Sequence, residues 1–229
     1  MPLILALETS SPVCSVALTQ NGALVASAEL RLDKSHSSHL TVLIDQLLGN
    51  AGVSLRELAA VAVADGPGSY TGLRIGAAAA KGLCYALELP LVAIGTLPAL
   101  AHQVAQQVPN AARYRFAPLL DARRMEVYAA LYAADGTELQ APAPLVLDSA
   151  SFAAALADGP VVFFGSGAAK FQPLVADHPN AAFLTDVHPS AIAVAQLAEA
   201  VYLRQEFRDV AYYEPFYLKE VYTTTPKTA

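Results

Sequence analysis

Tryptophan is missing altogether from this chain of 229 residues, and cysteine and methionine occur only twice each. Cys14 and Cys84 are too few for a disulfide framework, form no CxxC redox pair and match no zinc spacing, so both read as reduced core thiols. Charge is also sparse. Asp, Glu, Lys and Arg make up 15% of the residues, with 14 basic against 20 acidic, for a formal net charge of −6. Affinity for a phosphate backbone comes from Lys and Arg displacing counterions, so a chain this acidic is a poor candidate for gripping nucleic acid unaided. No run of 18 or more apolar residues occurs, and Met1-Pro2 leads straight into an apolar segment without a basic leader. The expectation is a cytoplasmic protein with no membrane contact. What the chain does have is apolar mass: 55% of its residues are hydrophobic and its mean hydropathy is +0.39, enough to bury a core and to exclude global disorder.

The order of elements occurs twice. Leu3 to Leu7 is a short apolar run that ends in turn chemistry at Glu8-Thr9-Ser10-Ser11-Pro12. Val13 to Thr19 alternates as a second strand, Asn21-Gly22 is a favoured hairpin turn, and Ala23 to Arg31 completes a meander. Ser35 is placed to cap a helix whose Leu40, Leu43, Ile44, Leu47 and Leu48 form an apolar stripe. Phe116 to Leu120, ending at Asp121, then Met125 to Tyr132 and the turn Asp135-Gly136 repeat this order about 113 residues later. Glu8 precedes Gly22 by 14 positions and Asp121 precedes Gly136 by 15. Between and after the meanders, strands are expected at Leu58–Ala64, Leu91–Ile94 and Val161–Phe164, and helices at Thr71–Leu87, Leu97–Gln107, Ser151–Ala157 and Ala191–Arg204. The pattern predicts an α/β fold of two tandem ribonuclease-H-like subdomains, each a mixed sheet flanked by helices, as in actin and the sugar kinases. They are expected over 1–108 and 109–229, with a packed aromatic tail after Arg208.

The densest local feature is Gly66-Pro67-Gly68-Ser69-Tyr70-Thr71-Gly72-Leu73-Arg74-Ile75-Gly76, set between a buried strand and a helix. Gly66 and Gly68 permit positive φ, Pro67 restricts it, and Ser69 or Thr71 can cap the helix behind. A phosphate cradle is one reading, but the spacing is neither GxxxxGK[ST] nor GxGxxG, and a GxSxG elbow needs glycine where Pro67 stands. Gly72, Gly76 and Ala80 recur every fourth residue and leave one helix face nearly bare. That face serves either close packing inside the chain or, with the first helix, an interface to another chain. If it is an interface, Gly76→Trp is expected to block assembly without unfolding the protein.

Recognisable catalytic sets are scarce. His36 and His39 lie three apart near a helix start with no third ligand evident, and His102, His178 and His188 are isolated; no metal is expected. A nucleotide site in this fold would use the turns that follow Glu8 and Asp121. Glu8-Thr9-Ser10-Ser11 is small and hydroxyl-rich, whereas Asp121-Ala122-Arg123-Arg124 is bulky and meets an anion only by side chain. With Gly165-Ser166-Gly167 these make at most a vestigial site, comprising Glu8, Thr9, Ser10, Asp121, Gly165 and Gly167, and no cofactor is expected except a nucleotide bound weakly or at a junction with a partner.

Ile4-Leu5-Ala6-Leu7-Glu8-Thr9-Ser10 with Cys14-Ser15-Val16-Ala17-Leu18, the Gly66 to Gly76 string, Asp121-Ala122-Arg123 with Glu126-Val127-Tyr128, and Pro215-Phe216-Tyr217-Leu218 together resemble the TsaB (YeaZ) family of bacterial tRNA threonylcarbamoyladenosine-biosynthesis proteins. That family is related to TsaD within the actin-like ATPase (ASKHA) superfamily. The resemblance spans nearly the whole chain. It implies a non-catalytic scaffold that acts with a larger TsaD-type paralogue and a TsaE-type ATPase to place threonylcarbamoyl on the adenosine 3′ of the anticodon in ANN-decoding tRNAs, the tRNA being contacted mainly through partners. In the family the paralogue carries an HxxxH metal motif, which this chain lacks. The resemblance also implies a homodimer when the chain is alone, and an interface on the first and second long helices: His39, Leu40, Leu43, Leu47, Gly72, Leu73, Ile75, Gly76, Ala79, Ala80 and Leu83. Glu8 stands where many members have Asp, so the carboxylate is kept. Two enzyme readings stay beside the scaffold: an actin-like ATP-dependent phosphotransferase using Glu8 or Asp121, and a metallopeptidase.

Overall fold

The structure, a computed structural model, describes residues 2–32 and 35–219; the last ten residues of the expected second subdomain lie outside the described residues. Leu3–Glu8 forms β1, and all six of its residues are buried, the mark of a strand covered on both faces. Its alternation serves two cores. Leu3, Leu5 and Leu7 join the cluster beneath the helices α1 (His36–Ala51) and α2 (Tyr70–Leu87). Ile4 and Ala6 join a second cluster on the opposite face. β1 pairs antiparallel with β2 (Cys14–Gln20), which pairs antiparallel with β3 (Ala23–Leu30). Asn21 and Gly22, at φ 50° and 73°, make the left-handed turn expected between them. On its other side β1 runs parallel to β4 (Ala60–Gly66), and β4 to β5 (Leu91–Gly95), for the order β3-β2-β1-β4-β5.

The second sheet repeats this order. β6 (Arg115–Asp121), β7 (Glu126–Tyr132) and β8 (Glu138–Val146) form the meander, while β9 (Val161–Phe164) and β10 (Ala181–Phe183) add in parallel, giving β10-β9-β6-β7-β8. Two five-stranded mixed sheets flanked by helices are the tandem ribonuclease-H-like architecture that the sequence pattern predicts. Two short elements have no expectation behind them, β10 and α5 (Ala168–Phe171). Neither is long enough to show a period.

Two helices cross the expected 108/109 boundary. α3 (Thr96–Ala105) puts Leu97, Leu100, Ala101 and Val104 into a core with Phe116, Leu120, Tyr132 and Phe164 of the second sheet. α6 (Ala191–Leu203) returns to the first sheet, where Ala191, Ala193, Ala195 and Ala198 meet Ala6, Ala17, Ala60, Ala62 and Ala64. Small residues on both surfaces allow the helix to sit close. The Ala191 N–H donates to Ser15 Oγ at 3.0 Å, so a strand of the first meander satisfies one of the free donors at the start of α6. Within the second sheet, Phe163, Phe171 and Phe183 pack ring to ring beside the short helix α4 (Ala153–Asp158).

The first helix begins where expected, but Ser35 does not cap it: its hydroxyl donates to the Leu32 carbonyl at 2.7 Å instead. Gly52, at φ 67°, closes α1 in the left-handed conformation. Among the described residues no helix is long and apolar enough to cross a membrane. Cys14 and Cys84 are free and buried.

Candidate functional site

β4 runs out at Gly66, whose φ of +106° and cis bond to Pro67 turn the chain toward α2. Ser69 caps that helix, its Oγ accepting from Gly72 N–H at 3.2 Å. The loop then docks on the turn after β1. Ser69 N–H donates to the Ser10 carbonyl at 2.7 Å, and the Thr9 hydroxyl donates to the Gly72 carbonyl at 2.9 Å. A Cβ on Gly68 would stand 2.5 Å from Ser10 O, one on Gly72 would collide with Thr9 O, and one on Gly76 with Thr9 Oγ1. The glycines are thus the residues that let α2 lie against the β1 turn.

This placement puts part of the expected partner interface inside the chain. Leu40 and Leu47 of α1, and Gly72, Leu73, Gly76 and Ala80 of α2, are buried inside the chain's own core. A helix lying on a sheet packs through its smallest or most apolar face, and that demand is met here by Thr9, Val63 and the first core rather than by a second chain. For the same reason Gly76→Trp cannot spare the fold. His39, Leu43, Ile75, Ala79 and Leu83 remain on the outer side, His39 exposed and the others half-buried. Gly82, which sequence reasoning passed over, lies with them: it is exposed and nothing among the described residues stands within 4 Å of where its Cβ would be. A glycine inside a helix costs about 1 kcal/mol relative to alanine, and that unexplained cost was the available signal. Val42 and Tyr85 add exposed apolar surface, Tyr85 being 84% exposed.

Of the motif loop, Gly66 and Pro67 are buried, while Ser69, Tyr70, Thr71 and Arg74 reach solvent. Behind the loop, Glu8 is fully buried. Its Oε1 accepts from Ser10 N–H at 2.5 Å, its Oε2 has no partner among the described residues, and burial pushes its carboxyl up to about 7 against the pull of Ser10. In the second half, Asp121 Oδ1 accepts from Lys170 Nζ at 2.8 Å and from Arg123 N–H at 2.6 Å. Against partial burial, these contacts hold Asp121 below the usual carboxylate range. Gly165 and Gly167 sit against Leu119, whose carbonyl would stand 2.6 Å from a Cβ on Gly165.

The turns that a nucleotide would use are engaged by the chain's own groups. The Gly68–Gly72 segment overlies the first turn, Glu8 takes the Ser10 N–H, Lys170 and the Arg123 N–H engage Asp121, and Leu119 fills the hollow of the third turn. The histidines do not converge either. His36 Nε2 lies 2.9 Å from the Ser11 carbonyl, whereas His39 is exposed and contacts Ser38 and Ser35. Among the described residues no three of His, Cys, Asp and Glu stand together as metal ligands would.

The tail beyond α6 straps these parts together. Arg208 N–H donates to Leu91 O at 2.9 Å and Phe216 N–H to Asp65 O at 2.8 Å. The Tyr213 hydroxyl donates to Asp65 Oδ1 at 2.9 Å, and Lys81 Nζ donates to the carbonyls of Ala211 and Tyr213. Asp65, raised by burial, forms with Arg208, Tyr212 and Tyr217 part of the lining of an open cavity of about 480 Å³.

Residues 30–227 match the family of TsaD, tRNA N6-adenosine threonylcarbamoyltransferase. The chain is 40% identical over 125 residues to the tRNA threonylcarbamoyladenosine biosynthesis protein TsaB of Haemophilus influenzae, across 55% of this chain and 51% of that protein. It is 39% identical over 132 residues to TsaB of Escherichia coli, across 58% of this chain and 55% of that protein. The chain thus spans about half the length of the curated relatives it matches. YeaZ from Pseudomonas aeruginosa superposes with a TM-score of 0.76 at 30% identity, covering 95% of this chain and all of that one. These likenesses agree with the two mixed sheets and the turn motifs, and the chain belongs to the tRNA N6-adenosine threonylcarbamoyltransferase family, on its TsaB branch.

Proposed function

We propose that this chain is a non-catalytic scaffold in the cytoplasmic complex that transfers threonylcarbamoyl to the adenosine 3′ of the anticodon in ANN-decoding tRNAs, seating a TsaD-type paralogue and acting with a TsaE-type ATPase. The observation that carries the reading is the outer side of α1 and α2. There Gly82 holds open space in mid-helix beside Ala78, Ala79 and Leu83, with Tyr85 exposed on the same helix and Val42 exposed on α1. An apolar helix pair with a bare point at its centre suits close approach by another helix. The same side serves a second copy of the chain when the paralogue is absent. The names carried by the relatives support the pathway, and the filled turns near Glu8 and Asp121 favour a scaffold over a phosphotransferase. The metallopeptidase reading has no comparable support.

Size exclusion with light scattering, on the full chain alone and mixed with a TsaD-type paralogue, tests this. A defined heteromer is expected for the wild type. Gly82→Trp should abolish it while leaving the far-ultraviolet spectrum and thermal midpoint intact, because Gly82 is exposed and nothing among the described residues stands within 4 Å of its Cβ position. Equal assembly by the variant would move the interface elsewhere, and no assembly by the wild type would overturn the reading.

A further inference from the structure

A continuous line of cations and aromatic rings crosses from α2 over the tail to the tip of the β6–β7 hairpin. Arg74 places its guanidinium carbon 5.4 Å from the Tyr70 ring centre and donates to the Tyr70 hydroxyl at 2.9 Å. Tyr70 in turn packs on Tyr217, with ring centres 5.1 Å apart. Beside this pair is an open groove of about 350 Å³ between α2 and the tail, to which Lys81 and Tyr213 also contribute. Two residues past Tyr217, Lys219 Nζ meets Glu126 Oε2 at 2.5 Å. Glu126 N–H then donates to the carbonyl of Arg123 at 3.0 Å, which closes the hairpin tip.

That tip has a second, independent peculiarity. Arg123 and Arg124 are consecutive residues at φ 73° and 49°. Left-handed backbone costs a residue with a Cβ roughly 1 kcal/mol or more, and turns of this kind ordinarily use Asn or Gly. Neither arginine is buried, and neither side chain has a hydrogen bond or ion pair among the described residues, whereas Arg115 is held by Asp158 and Arg204 by Glu206. The strain thus presents to solvent two guanidinium groups that are unpaired among the described residues. In a chain of net charge −6, three guanidinium groups, those of Arg74, Arg123 and Arg124, belong to this line, together with Lys170 and Lys219, which are paired with Asp121 and Glu126.

We propose that this line is a direct RNA contact, with backbone phosphates held by Arg123 and Arg124 and an unstacked base received in the groove against Tyr70 and Tyr217. Fixed guanidinium forks bind phosphate oxygens in pairs. Aromatic faces beside a basic track are the means by which proteins hold single-stranded nucleic acid. The choice of RNA over an acidic protein rests on the reading of this chain as a subunit that acts on tRNA. The net acidity that speaks against nucleic acid is an average over the surface, and on this strip the guanidinium groups of Arg74, Arg123 and Arg124 stand against the groove's Glu214.

The test is fluorescence anisotropy of the full chain with a labelled, unmodified anticodon stem-loop RNA, between about 50 and 200 mM salt. Arg123→Asn with Arg124→Gly should weaken binding about tenfold and make the log–log salt dependence shallower by about 1.4, the share of two phosphate contacts on a single strand. The same pair should not lower the thermal midpoint, because Asn and Gly accept the left-handed backbone. Tyr217→Ala should weaken binding and leave the salt slope unchanged. Absence of RNA binding by the wild type, unaltered affinity and slope in the arginine variant, or equal competition by polyglutamate, which would mark an acidic protein as the occupant, would each overturn the proposal. Assembly with the paralogue is read separately by light scattering, so a failed scaffold leaves arginine-dependent RNA binding visible, and a sound scaffold does not rescue its loss.

Discussion

The Thr9 hydroxyl donates to the carbonyl of Gly72 at 2.9 Å, and a methyl group on Gly72 would collide with the carbonyl of the same Thr9. One residue of the β1 turn therefore both holds α2 and sets how close it lies. The hydrogen bond is possible only because the helix presents bare backbone at that point.

Gly72→Ala and Gly76→Ala should each destabilise the protein by about 1–3 kcal/mol through overpacking, read as a lower urea midpoint. Their responses to Thr9→Ala should differ. Gly76 faces the Thr9 hydroxyl, so removing that atom should recover part of the loss, less about 1 kcal/mol for the missing hydrogen bond. Gly72 faces the Thr9 carbonyl, which Thr9→Ala leaves in place, so no recovery is expected there. Equal recovery at both positions would show that the helix shifts as a body.

Glu8 should make stability fall as pH rises. Burial lifts its folded carboxyl from 4.5 to about 7. A group raised on folding contributes its full stabilisation below the unfolded value and loses it as pH climbs through the folded one. Glu8→Gln keeps an acceptor for Ser10 N–H and cannot ionise. Urea midpoints should give the variant little advantage at or below pH 4.5 and a relative gain approaching about 3 kcal/mol above neutrality. A wild-type minus variant difference that stays flat with pH would remove the buried carboxylate from the account.

Tyr213→Phe deletes the hydroxyl that donates to Asp65 Oδ1 and leaves a half-buried carboxylate short of a partner. A loss of about 1–2 kcal/mol is expected. The tail should also open locally, seen as faster tryptic cleavage after the exposed Arg208. Unchanged cleavage would mean that the Lys81 and Phe216 contacts alone hold the strap.

The local periods and turn residues of the chain encode its elements. The alternation of β2, the Asn21-Gly22 turn and the apolar stripe of α1 are each readable over a few residues, and their repetition after Phe116 specifies two sheets of one strand order. The same reading finds Glu8, Asp121 and the Gly66 to Gly76 string as places where the backbone is special. β10 and α5 escape it because three or four residues carry no period.

Which surface each special residue faces is a different kind of fact. Gly72-Gly76-Ala80 spells a bare helix face whether Thr9 or another chain lies against it, because a missing side chain names no neighbour. Only the three-dimensional placement gives that face to Thr9 and leaves Gly82 in the open. Tertiary structure likewise carries α3 onto the second sheet and α6 onto the first. It also brings the tail across to Glu126, so that Tyr70, Tyr217 and the two strained arginines, far apart in sequence, lie along one line. Sequence fixes what each segment is able to bury. Contacts between distant segments decide what is left outside.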